Sequence, residues 1–102
     1  IYGDIDYSVL FSSVKVAKDA KVKYSIVMPG AVIEEGATVQ YAMVAENAVI
    51  KAGAVVGEDP EAIEDLSKWG VAVIGGGVTI GKNARVSANK MIDEDVAEGE
   101  VK

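Results

Sequence analysis

The sequence predicts an all-β fold: a three-sided coil of short parallel strands that repeats every 17 residues. Three observations predict it. Ile5, Leu10, Val16, Val22, Val27, Ile33, Val39, Val44, Ile50 and Val56 follow one another at steps of 5, 6, 6, 5, 6, 6, 5, 6 and 6, and all are aliphatic. Only 28 of the 102 residues are Val, Ile or Leu, so the pattern is selective. Three residues after these anchors stand Ser13, Asp19, Ser25, Gly30, Gly36, Ala42, Asn47 and Gly53, mostly types that tolerate the positive φ of a sharp corner. One residue further on come Val14, Ala20, Ala31, Ala37, Ala48 and Ala54, small enough for a crowded inner corner. Steps of 5 and 6 match no face of a 3.6-residue helix.

Each anchor is expected to sit on a short strand, point inward and stack on the anchor 17 residues along. Ile5, Val22, Val39 and Val56 then form one column, Leu10, Val27 and Val44 a second, and Val16, Ile33 and Ile50 a third. No coil buries its inner face alone, so stacking makes the core. Half the residues are hydrophobic but only 6% are aromatic, which suits thin aliphatic layers better than a broad irregular core.

After Val56 the period breaks. Residues 58–70, EDPEAIEDLSKWG, carry the signals of a short helix: Asp59 as N-cap, Pro60 in the first turn, acidic residues following and Gly70 at the end. Ile63, Leu66 and Trp69 fall near one face of it. With these thirteen residues excised, Ile74, Ile80, Val86 and Met91 resume the period. The same frame explains GGGVTIGKN at 75–83, which resembles a phosphate loop with Asn83 in place of the magnesium-binding hydroxyl. Gly77 and Asn83 are corner sites, Val78 and Ala84 follow the corners, and Val78-Thr79-Ile80 is strand material. Residues 1–92 thus form the coil domain, interrupted at 58–70. Residues 93–102 are expected to be a charged tail that blocks further stacking.

The hexapeptide pattern resembles the left-handed parallel β-helix family, and the handedness comes from that resemblance, since periodicity carries none. Ile1-Tyr2-Gly3, SVLFSSV at 8–14 and VKYSIVMPG at 22–30 resemble the carboxy-terminal domain of bacterial glucose-1-phosphate adenylyltransferases, extended by AENAVI at 45–50 and IGKNA at 80–84. The similarity covers about 1–57 and 71–92. It implies a parent that makes ADP-glucose and pyrophosphate from ATP and glucose 1-phosphate for glycogen synthesis. In such a parent this domain would support tetramer assembly and allosteric control, while ATP and Mg2+ would bind an amino-terminal catalytic domain absent here. No catalytic, cofactor-binding or metal-binding residue carries over. The opening Ile1 in place of Met agrees with a piece of a longer protein.

A net charge of −6 argues against nucleic acid. No apolar run reaches the roughly 18 residues of a membrane span. The lack of cysteine fits a cytoplasmic protein. Many hexapeptide β-helix proteins are acyltransferases with a histidine base, and this chain has no histidine. Lys15, Lys18, Lys21 and Lys23 are the candidate anion or effector contacts, against the simpler reading of a solvated outer face; Lys82 and Arg85 stand in the same position. Ile63, Leu66 and Trp69 are candidate interface residues, against packing on the chain's own coil. The first coil, Ile1–Leu10, has no evident cap, so the missing domain or another copy is expected to cover it.

Overall fold

In the computed structural model the described residues, 4–6, 8–58 and 70–102, wind into a triangular prism with three parallel sheets as its faces. Face one stacks β1 (Asp4–Asp6), β4 (Lys21–Lys23), β7 (Thr38–Gln40), β10 (Val55–Val56) and β13 (Arg85–Val86). Face two stacks β2 (Val9–Leu10), β5 (Ile26–Val27), β8 (Ala42–Val44), β11 (Ala72–Ile74) and β14 (Met91–Ile92). Face three stacks β3 (Lys15–Val16), β6 (Val32–Ile33), β9 (Val49–Ile50) and β12 (Thr79–Ile80).

The register is that of the predicted columns. Ile5 pairs with Val22, Val22 with Val39 and Val39 with Val56, after which Val86 takes the next rung. The second column runs Leu10, Val27, Val44, Ile74, and the third Val16, Ile33, Ile50, Ile80. Val22, Val39, Val56, Ile33 and Ile50 are completely buried, as are Ala20, Ala31, Ala37, Ala48 and Ala54 just past the corners. The backbone closes the stack with bonds from one coil to the next, such as Val32 N–H to the Ala48 carbonyl at 2.9 Å and Thr38 N–H to that of Ala54 at 2.8 Å. One strand therefore satisfies the next, and only the end coils keep open edges.

Two of the three corner rows match the expected turn sites. Ser13, Asp19, Gly30, Gly36, Asn47, Gly53, Gly77 and Asn83 all hold φ between 60° and 78°. GGGVTIGKN is accordingly two corners flanking β12, with no helix after it, so the phosphate-loop reading fails on geometry. The corner from face one to face two corrects the sequence reading. Ser25 and Ala42 are not the left-handed residues; Tyr24 and Tyr41 are, at φ 49° and 47°. The five-residue step shortens that side, so the turn falls two residues after the anchor and Ser25 and Ala42 swing into the core.

The last coil brings a second correction. Met91 is not an anchor: it is 76% exposed, and Ile92 pairs with Ile74 and packs on the core. Here Asn89, at φ 60°, makes a full six-residue corner three after Val86. The extra residue moves the inward position on by one. Residues 93–102 do not hang free either. Val96 is buried and bridges Ile80, Val101 bridges Arg85, and Gly99 turns a further corner at φ 72°. The charged segment is a partial extra coil. The helix expected at 58–70, with Ile63, Leu66 and Trp69, lies outside the described residues except for its ends. Of those, Glu58 accepts the Ala88 N–H at 3.1 Å and the Gly70 carbonyl accepts the Asn89 N–H at 2.9 Å.

Candidate functional site

Phosphate recognition needs cations that converge. Lys15 begins β3 on face three, Lys18 occupies the corner after it, and Lys21 and Lys23 flank the buried Val22 of β4 on face one. The four therefore wrap around a prism edge and spread over two faces. In register, Lys21 lies between Asp4 and Thr38, and Lys23 between Asp6 and Gln40, so each lysine position on face one has an acidic residue at its rung below. A cavity of about 620 Å3 does touch Lys15, but Val14, Val16, Val32 and Ile33 line it, with Glu34 and Glu35 at its side. Its character is apolar and its nearest charges are mixed.

Lys82 borders a second recess of about 460 Å3 shared with Glu34, Lys51 and Glu98, again of both signs. Arg85 lies on face one in a groove of about 470 Å3 with Gln40, Glu58, Ser87 and Val101. Among the described residues no group of three or more acidic side chains is gathered as a metal site would require, and no buried side-chain polar atom lacks a hydrogen-bond partner.

The corner between faces one and two carries structure that sequence reasoning missed. The Tyr24 and Tyr41 rings stack with centroids 4.9 Å apart and planes 12° from parallel. Holding each tyrosine in the left-handed region costs about 1–2 kcal/mol, and the single aromatic pair returns only about 0.5–1.5 kcal/mol of the combined cost. Beneath the rings, the Ser25 hydroxyl donates to the Lys23 carbonyl at 2.9 Å and accepts the Ala42 N–H at 3.2 Å, while Ser8 Oγ accepts the Ser25 N–H at 3.1 Å. Serine hydroxyls thus supply acceptors where the tight corner interrupts the backbone ladder. The available signal was the 17-residue spacing of the Tyr-Ser pairs at 7–8 and 24–25 and of Tyr41.

The family model for the GlmU-like, C-terminal hexapeptide matches residues 1–71. The chain belongs to that hexapeptide family. Its prism is accordingly the left-handed parallel β-helix of hexapeptide-repeat proteins, the handedness and fold that the sequence resemblance implied. No curated protein sequence matches the hexapeptide chain significantly. Among solved structures, the acetyltransferase domain of PglB from Neisseria gonorrhoeae, in complex with acetyl coenzyme A, is 16% identical at a TM-score of 0.47, covering 92% of this chain and 50% of that one. A GDP-perosamine N-acetyltransferase from Caulobacter crescentus, with CoA and GDP-perosamine, is 20% identical at a TM-score of 0.39, covering 96% and 52%. The hexapeptide chain spans about half the length of these structures.

Proposed function

We propose that the chain is the carboxy-terminal assembly and regulatory domain of a glucose-1-phosphate adenylyltransferase, the enzyme that makes ADP-glucose and pyrophosphate from ATP and glucose 1-phosphate. One observation carries the reading: the two sequence blocks most characteristic of those enzymes, SVLFSSV and SIVMPG, stack as neighbouring coils on one face. Val9 is in register with Ile26 and Leu10 with Val27. The resemblance therefore marks two adjacent rungs of one face, an inward pair and an outward pair, rather than scattered hexapeptides. A scaffold role also agrees with the mixed-sign recesses and the dispersed lysines described above.

On this reading the domain does no chemistry itself. ATP and Mg2+ belong to an amino-terminal catalytic domain, the parent assembles as a tetramer in the cytoplasm, and the lysine-bearing edge is the place to look for an anionic effector. A second reading, favoured by the GlmU-like family match, makes the parent another sugar-nucleotide pyrophosphorylase. A third takes the parent as a non-catalytic paralogue that keeps only the scaffold. The full-length parent should be incubated with ATP and a panel of sugar 1-phosphates while pyrophosphate release is followed. Release with glucose 1-phosphate alone is the expected result. Preference for another sugar phosphate would move the assignment to the second reading, and no release with any would favour the third.

A further inference from the structure

Face two differs from the other two in what it shows to solvent. Val9, Ile26, Met43, Val73 and Met91 occupy one outward row in register across all five strands. Met91 is 76% exposed, Val9 53%, Met43 39% and Ile26 38%. Beside this row, one residue past the inward anchors, stand Phe11 and Met28. All three methionines of the chain and its only phenylalanine thus lie on a single face. The equivalent row on face one reads Lys21, Thr38, Val55 and Arg85, and that on face three reads Lys15, Val32, Val49 and Thr79, where both valines are only half-exposed. Methionine and aromatic residues are the types enriched where proteins meet, and Met adapts its shape to a partner.

Five strands about 4.8 Å apart, each roughly 15 Å across with its corners, make a face on the order of 350 Å2. Contiguous apolar patches of that size are the largest that a monomer usually shows, and they are often functional. What covers this one is indicated by charge. A chain of net charge −6 repels its copies in general, but the middle of face two carries no charge, a lysine adjoins its first strand and the segment around its last strand is acidic on balance. Lys15 opens β3 just past the corner that follows the first strand of face two, while on the last rung of the face Lys90 precedes Met91 and Asp93, Glu94 and Asp95 follow Ile92.

We propose that face two pairs with face two of a second copy, the two prisms running antiparallel, with Met43 beside the two-fold axis. In this arrangement Val9 and Phe11 meet Met91 of the other copy. Lys15, at the start of β3 just past the corner of faces two and three, comes beside Asp93 of the other copy. A two-fold axis along the prisms would instead set like ends together. Two such faces bury on the order of 700–1,000 Å2 in total, within the range of weak, reversible complexes. This inference rests on the assembly role proposed above, though not on which sugar nucleotide the parent makes.

Sedimentation equilibrium over a wide concentration range provides the test. The apparent mass should climb from the 10.6 kDa of one chain towards twice that value. Met43→Lys should raise the dissociation constant by at least about tenfold, and Thr38→Lys on face one should leave it unchanged. Lys15→Glu should weaken pairing, and adding Asp93→Lys should restore it. Circular dichroism checks that each variant keeps its fold. Because the chain has no cysteine, Met43→Cys offers an independent readout: it should oxidise to a covalent dimer faster than Thr38→Cys. A strictly monomeric chain, a Met43→Lys variant that pairs like the original, or equal oxidation of the two cysteine variants would overturn the proposal. None of these results depends on the parent's enzymatic activity, so either reading can fail without the other.

Discussion

Ile50 sits fully buried at the middle of the third column, with Ile33 on the rung before it and Ile80 on the rung after. Replacing it with alanine removes three carbons. At about 0.8 kcal/mol per buried methylene the transfer loss alone is about 2.4 kcal/mol. A cavity term is added, because the rungs cannot close over the gap. The Glu34 N–H bonds to the Ile50 carbonyl and the Lys51 N–H to the Ile80 carbonyl, both at 2.9 Å, and these hold the strands at fixed spacing. Across proteins such substitutions cost about 2–5 kcal/mol, and the rigid ladder argues for about 3–4 kcal/mol here. Against the 5–15 kcal/mol typical of a whole domain, that is a large fraction. Equilibrium urea unfolding followed by far-ultraviolet circular dichroism should show the loss, with a fall in Tm of about 12 °C or more. Ile50→Val, which removes one methyl group, should cost only about 0.5–1.5 kcal/mol. An alanine variant within about 1 kcal/mol of the original, or a valine variant as damaged as the alanine one, would falsify the stacked-column account.

Two further substitutions probe the corners. Gly57 and Gly77 both hold positive φ, at 81° and 70°, but a Cβ at Gly57 would collide with the Gln40 carbonyl oxygen, whereas one at Gly77 meets nothing within 4 Å. Gly77→Ala should therefore cost only the backbone strain of about 1–2 kcal/mol. Gly57→Ala should lower Tm distinctly further, and equal melting points would refute the collision. Ser25→Ala removes the acceptor for the buried Ala42 N–H and should cost about 1–3 kcal/mol in the same unfolding assay, while Ser25→Thr should recover part of it if the hydroxyl is the group that matters.

What the sequence by itself determined is the part of the fold that repeats. An inward aliphatic every five or six residues and a small or left-handed residue after it are local signals, and local signals written several times over specify strands, corners and columns. Gly30, Gly36, Asn47, Gly53, Gly77 and Asn83 were legible for that reason, and so was the resumption of the period after the insertion. Tertiary structure decided the exceptions. At Tyr24 and Tyr41 residue type argues against a left-handed backbone, and the stacked rings and the Ser25 hydrogen bonds that partly offset its cost exist only because successive coils return to the same corner. Met91 looked apolar enough for an anchor, but the full corner at Asn89 gave the inward place to Ile92. The acidic segment after it reads as a tail, yet Val96 finds a buried rung above Ile80. The candidate lysines are close together in sequence, but a chain that turns every six residues carries them around an edge onto different faces. The apolar stripe on face two is the converse case. Its members are separated by 17, 17, 30 and 18 residues, and the coil brings them into one row because each circuit returns the chain to the same face.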